Sequence, residues 1–464
     1  MNGVALAAVR PSARQLAWQR MEFYGFVHFG MNTMTNREWG EGHDDPALFD
    51  PSLLDPDQWV RSLAAAGMTG VILTAKHHDG FCLWPSDATK YSVAASPCSR
   101  DIVEETARAA RRHGLKFGVY LSPWDRTEAS YGTGAGYDDF YVAQLTELLT
   151  RYGPVFSVWF DGANGEGPNG KRQEYDWERY YAVIRSLQPD AVINVCGPDV
   201  RWCGNEAGET RPDEWSVVPR ALRDAERIAS RSQQADLPSF AKLVRSDDQD
   251  LGSRDALKGQ EDLVWYPAEV NTSIRPGWFH HPAEDGEVKS ADELFANYLR
   301  AVGGNSCFLL NVPPARDGLV SPVDVAVLAA LGAKIAAFKE RRIEASATVT
   351  SGTPGRVDSE WPGFGRTPWE PAAADERPAV TLDLGAPRTV EAAVIGEDIS
   401  RGQRVEHVIV SGRSAGTWTT LGTANAVGYQ RILTFPPIAV DAVRFEIAAW
   451  RDTPVIARVA VIES

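Results

Sequence analysis

Five short clusters gather side chains that could do chemistry. Gly25-Phe26-Val27-His28-Phe29-Gly30 comes first, with Glu38-Trp39 close behind. Lys76-His77-His78-Asp79-Gly80-Phe81 follows, with Trp84, and then Tyr120-Leu121-Ser122-Pro123-Trp124-Asp125. The fourth is Val158-Trp159-Phe160-Asp161-Gly162-Ala163, the fifth Trp202-Cys203-Gly204-Asn205-Glu206-Ala207-Gly208. Asp161 ends an apolar run, where a carboxylate is costly to bury unless it is paired or put to use. A structural Asp bonding the turn amides around Gly162 is the plain alternative. A second carboxylate, Glu206, lies beyond the next apolar run. Two carboxyls about 5–5.5 Å apart on neighbouring strands are what a retaining glycosidase requires. Glu166, Asp199 and Glu209 compete with Glu206 on pattern alone.

The adjacent His77 and His78, with His28, admit three readings. Metal-dependent hydrolases gather several histidines with carboxylates, but no histidine occurs between His113 and His280. No metal or other cofactor is expected. Neutral imidazole instead offers a donor and an acceptor to sugar hydroxyls, and a satisfied structural pair is the third possibility. Tryptophan points the same way as the sugar reading. Of fifteen, eleven precede residue 280, and Trp39, Trp84, Trp124 and Trp159 fall where strands run out into loops. Flat rings there suit the C–H faces of sugars, although core packing accounts for several of them.

The net charge of −15 excludes a nucleic-acid partner, which needs a basic surface, and disfavours an anionic membrane. No run reaches transmembrane length. The apolar stretch Val4 to Val9 is too short for a signal h-region and lacks a preceding positive charge, so a cytoplasmic protein is expected, or a secreted one if a signal was trimmed. Five cysteines without a CxxC pair read as reduced thiols.

The elements that must position these clusters alternate. From about residue 20 to 310, short apolar runs (Phe23–Phe29, Val71–Leu73, Phe117–Leu121, Phe156–Phe160, Ala191–Val195) are separated by amphipathic helices. One opens at Asp55-Pro56, a capping pair, and stops at Gly67. Such βα units predict a parallel sheet covered by helices. No glycine-rich loop follows the first strand, which weakens the open nucleotide-binding form. Functional-looking residues after several different strands predict a (β/α)-barrel instead. After about residue 345 the texture turns to short β-rich runs: Val380–Leu384, Glu391–Ile395, Glu406–Ser411, Arg431–Phe435, Ala442–Ile447 and Val455–Val461. Residues 1–345 are thus expected to form the barrel and 346–464 an antiparallel β-sandwich, approached through an irregular Ser351–Ala374.

The ordered set GFVHFG, EW, KHHDGF, VYLSPWD and VWFDGA resembles glycoside hydrolase family 29, the α-L-fucosidases, over roughly residues 18 to 340. The resemblance implies a retaining hydrolase with Asp161 as nucleophile and His28, Glu38, Trp39, His77, His78 and Tyr120 around the fucose. Trp84 and Trp159 match further aromatic positions of the pocket. The GNEAG stretch resembles the subfamily selective for α-1,3/1,4-linked fucose on branched, Lewis-type glycans. So does a later stretch read as a loop, Glu269-Val270-Asn271 with Ser273 to Trp278. This implies Glu206 as acid/base and Trp278 near the substrate, a fucosylated oligosaccharide or glycoconjugate. A glycosidase for another L-sugar such as L-galactose, and a non-catalytic fucose binder, are the alternatives. The C-terminal segment resembles discoidin-like, carbohydrate-binding-module domains through its strand spacing and Leu382-Asp383-Leu384-Gly385. A buttress for the barrel is preferred to glycan binding.

Overall fold

The computed structural model describes residues 3–225, 250–352 and 368–464. Eight strands form one sheet: β1 (Phe23–Val27), β2 (Gly70–Lys76), β3 (Lys116–Leu121), β4 (Ser157–Phe160), β5 (Val192–Val195), β6 (Arg201–Trp202) and, further on, Ala268–Ser273 and Cys307–Asn311. The last two are β9 and β10, because a small antiparallel pair intervenes, β7 (Val217–Pro219) and β8 (Leu263–Trp265). The order is β5-β4-β3-β2-β1-β10-β9-β6, and every pairing in it is parallel. The two edges meet at a parallel bridge, Asn194 to Val200, closing the expected barrel. Its strands are buried almost throughout, as a sheet enclosed by helices must be.

Helices return the chain between strands, and their starts are written locally. Asp55 accepts amide bonds from Asp57 and Gln58 at the head of Pro56–Ala65, and Gly67, at φ +83°, supplies the left-handed stop. Asp101 and Asp176 cap Ile102–Arg112 and Trp177–Leu187 in the same way, and Ser290 with Glu293 makes a capping box for Ala291–Val302. No helix among the described residues is long and apolar enough to cross a membrane.

The C-terminal part is a six-stranded antiparallel sheet around its own apolar core. Its strands are β11 (Ser346–Val349), β12 (Ala379–Glu397), β13 (Val405–Ser414), β14 (Thr417–Ala424), β15 (Arg431–Trp450) and β16 (Ile456–Glu463). The runs Val380–Leu384 and Glu391–Ile395, expected as two strands, are one, and so are Arg431–Phe435 and Ala442–Ile447. Gly385, at φ +74°, lies where the β12 register shifts between Asp383 and Arg388, so the chain kinks without leaving the sheet. Strands β11 and β14 were not anticipated. Much of the expected irregular approach, residues 353–367, lies outside the described residues.

The two parts meet through polar side chains as well as apolar ones. Asn305, at φ +66°, accepts the amide of Tyr429 at 2.7 Å, and the Tyr429 hydroxyl donates to Glu22 at 2.9 Å.

Candidate active site

Parallel strands bring their C-terminal ends to one mouth of the barrel. There lies a cavity lined among others by His28, Glu38, Trp39, His77, His78, Trp159, Asp161, Glu206 and Trp278. Nine of the eleven residues singled out in the sequence as functional line this wall. Asp161, just past β4, keeps its side chain 23% exposed. Its Oδ1 accepts the Ala163 amide at 2.8 Å and its Oδ2 accepts the Tyr120 hydroxyl at 2.9 Å. Tyr120 is fully buried and does not line the cavity itself, but its hydroxyl bonds Asp161, which does. Burial and the adjacent Asp161 charge both push its pKa up, so it remains a donor.

The three histidines are neutral, and their partners fix which nitrogen carries the proton. The Asn311 amide donates to Ser273 Oγ at 2.9 Å and to the Trp278 carbonyl at 2.8 Å. Its oxygen therefore faces His28 Nδ1, 2.9 Å away, and accepts from it. Ser122 Oγ donates to the Trp124 carbonyl and so accepts from His78 Nδ1 at 2.7 Å. Both rings are left with an acceptor at Nε2, that of His78 lying 3.8 Å from Asp161. Asn32 donates to the Glu38 carbonyl and faces His77 Nδ1 at 3.4 Å, which leaves His77 a donor at Nε2. Burial pulls the pKa of His28 down to about 3 and that of His78 to about 4, the latter opposed by Asp161. His77 is held well below its ordinary value by burial and by the other two imidazoles. Two acceptors and one donor thus face a ligand without a net charge, which is what a hydroxylated neutral ring can pair with.

Glu38 is engaged from one loop. It accepts the amides of Trp278 and Phe279 at 2.9 and 3.0 Å and faces His281 Nε2 at 2.7 Å. The loop so held carries the Trp278 indole, whose N–H donates to Glu206 at 3.1 Å. Trp39 stands edge-on to His78 and to Trp124. Trp159 stacks on Tyr120 with centroids 5.5 Å apart.

One expected pocket residue is elsewhere. Trp84 is fully buried, and its N–H donates at 2.6 Å to Glu147 on the helix Ala135–Arg151, so it packs the barrel's helical layer instead of facing a ligand. The rival carboxylates do not line the cavity either. Asp199 is paired with Arg185 and takes the Ile193 amide. The stretch Glu269-Val270-Asn271, read as a loop, is strand β9. Glu269 is completely buried beneath Trp159, accepting its indole N–H at 2.8 Å, the Asn194 amide at 2.7 Å and the Tyr24 hydroxyl. Burial pushes its pKa up against these bonds.

Phe26, Val195 and Trp202 line the cavity without having been singled out as binding residues. Val195 sits at φ +65°, a strained conformation for a β-branched residue that is characteristic of functional sites. Nothing local in the sequence announces it. Among the described residues no three His, Cys, Asp or Glu side chains gather as a metal site would need.

A closed parallel barrel whose mouth holds carboxylates, neutral imidazoles and indoles is built to hydrolyse a carbohydrate. Comparison with known proteins makes this specific. Residues 14–340 match the α-L-fucosidase family model, and 342–461 match that of the F5/8 type C domain. The α-L-fucosidase 1 of Arabidopsis thaliana is 38% identical over 92% of this chain and 81% of its own. A Bacteroides ovatus protein solved as a candidate α-L-fucosidase shares 42% identity, with a TM-score of 0.85 over 99% of this chain and 74% of that one. A Ruminococcus gnavus family 29 fucosidase, solved with fucose, shares 28% identity at a TM-score of 0.84, covering 98% of this chain and 95% of that one. The chain belongs to the α-L-fucosidases, glycoside hydrolase family 29.

Proposed function

We propose that this α-L-fucosidase is a retaining exo-enzyme that removes terminal α-1,3/1,4-linked L-fucose from branched, Lewis-type glycans. Asp161 is the nucleophile and Glu206 the acid/base. An Asp161 oxygen attacks the anomeric carbon while the Glu206 carboxyl gives its proton to the departing glycosidic oxygen, forming a covalent fucosyl-enzyme. Glu206 then takes a proton from water, whose oxygen attacks the same carbon and displaces Asp161, releasing fucose with retained configuration. His28, His77 and His78 pair with the sugar hydroxyls, and Trp39, Trp159 and Trp278 cover its apolar faces.

The observation that carries this reading is the pairing of Asp161 and Glu206 across one cavity, each oriented by its own donor. The third carboxylate there, Glu38, is committed to the Trp278 loop. The linkage preference is supported by the GNEAG stretch, and by Trp202 and Trp278 on the same wall as Glu206. The test is fucose release from an aryl α-L-fucoside and a Lewis-type trisaccharide in parallel, with the first-formed anomer read by NMR. Release of α-fucose from the trisaccharide, with little from the aryl compound, is expected. Asp161→Ala abolishes it while still binding fucose. First-formed β-fucose, or hydrolysis surviving in Asp161→Ala, overturns the mechanism, and cleavage of the aryl compound alone overturns the linkage assignment.

A further inference from the structure

The segment carrying Glu206 is held from two sides. On the barrel side, the Cys203 amide donates to the Glu269 carbonyl at 3.0 Å and the Gly208 amide to that of Asn271 at 3.2 Å. Asn205 ties residues 205–209 into one turn, accepting the amides of Ala207 and Glu209 at 3.1 Å and donating back to the Glu209 carbonyl. Just beyond, the buried Glu214 bridges Arg201 of β6 and Arg211. Burial pushes its pKa up, but the two guanidinium groups more than offset this.

The other side belongs to the C-terminal sheet. Asn425, at the end of β14, donates its backbone amide to one Asp213 oxygen at 3.1 Å and its side-chain amide to the other at 2.9 Å. Its own oxygen faces His407 on β13 at 2.8 Å. Arg431, opening β15, donates to the Pro212 carbonyl at 2.7 Å. Gln403 accepts the Ser216 amide at 2.9 Å. Asn305 joins the two sides, donating to the Glu214 carbonyl at 2.9 Å while it accepts Tyr429 from the sheet. Although Cys203 and Trp215 join apolar clusters, the stretch between them leaves Glu209 and Pro212 exposed and, held mainly by polar bonds, would otherwise open locally at little cost, whereas a catalytic carboxyl must hold its place to about 0.5 Å.

We propose that the C-terminal sheet clamps the acid/base segment, with Asp213 and Asn425 as positioning residues of the reaction. This rests on Glu206 being the acid/base. The clamp acts on proton donation, while Asp161 is set by β3 and β4 and is untouched by it.

The experiment compares kcat/KM on a Lewis-type trisaccharide, whose leaving oxygen needs a proton, with α-L-fucosyl fluoride, whose fluoride departs without one. Asn425→Ala and Asp213→Asn each lower the trisaccharide value about tenfold, as a sub-ångström misplacement would, and leave the fluoride value within about twofold. The double variant Asp213→Asn/Asn425→Asp rebuilds the pair with donor and acceptor exchanged, and it recovers the trisaccharide activity. Both substrates slowed alike, or neither slowed, overturns the clamp. Glu206→Gln separates the two levels of the argument. It must lose the trisaccharide and keep fluoride-dependent fucosyl-enzyme formation. If it cleaves the trisaccharide normally, the acid/base assignment falls and takes the clamp with it. If it is inactive on the trisaccharide while Asn425→Ala is normal, only the clamp falls.

Discussion

Glu269 offers the sharpest test of how the pocket floor is held. It accepts three donors inside the barrel, from Tyr24, Trp159 and Asn194. Glu269→Leu strands all three. An orphaned buried donor costs about 1–3 kcal/mol, so the gross loss is about 3–9 kcal/mol. Relief from burying the carboxyl itself returns part of this, leaving about 3–5 kcal/mol, as when one partner of a buried pair is removed. Against a total stability of about 5–15 kcal/mol, that is a large drop in the urea midpoint. Glu269→Gln behaves differently. Its oxygen keeps Trp159, its amide meets an Asn194 turned end for end, and Ser157, which now donates to Asn194 at 2.9 Å, reverses its hydroxyl, so that only the Tyr24 proton is left without an acceptor. The cost falls to about 1–3 kcal/mol. Urea unfolding followed by tryptophan fluorescence measures both, and kcat/KM well below the midpoint reports the Trp159 floor, about tenfold lower in the Leu variant. A Leu variant as stable as the parent, or a Gln variant as damaged as Leu, would refute the reasoning.

Tyr120→Phe removes the hydroxyl that orients Asp161 and should lower kcat about 10- to 100-fold, the worth of a hydrogen bond to a charged group; a loss under twofold by steady-state kinetics counts against it. Trp84→Phe should leave kcat/KM unchanged and lower the unfolding midpoint, since the bond to Glu147 and part of a buried ring are lost; a raised KM for fucoside would put Trp84 back in the pocket. Stability should also respond to pH. The folded-state pKa of His28, His77 and His78 lies below the unfolded value, so their stabilisation is complete above about pH 6.5 and is lost as pH falls. Asp79 and Glu397, both raised by burial to about 7, act oppositely and lose their contribution as pH rises to 7. Glu269, also raised by burial, sides with these carboxyls, so the two sets oppose each other between about pH 5 and 6. Asp79→Asn removes one opposing group and should make the change of stability with pH there more positive by about 1.4 kcal/mol per pH unit; denaturant unfolding at those two values checks it, and an unchanged slope contradicts it.

The barrel and most of the pocket were legible because a parallel strand delivers the residues after it to one mouth. His28, His77, His78 and Asp161 each follow an apolar run, and the run itself says which end they occupy. What stayed hidden depended on distant partners. Trp84 turns outward because Glu147, sixty-three residues later, takes its N–H. Strand β9 reads Ala-Glu-Val-Asn-Thr-Ser, with no apolar run to announce it, since Glu269, Asn271 and Ser273 are satisfied by side chains of other strands. In the sandwich, Gly385 to Pro387 and Pro436-Pro437 carry turn chemistry, yet a register shift lets the ladder resume beyond them.

The place of β1 in the barrel has a consequence for how the chain is made. It pairs with β2 on one side and with β10 on the other, Phe23 opposite Phe308. At about 5–20 residues per second, roughly 15–60 s of synthesis separate those partners. Through that time the emerging half-barrel carries an unpaired, wholly apolar edge, and closure waits for contacts of very high sequence separation, which form slowly. Expression yield should therefore depend more on temperature and chaperone supply than on the stability of the finished enzyme.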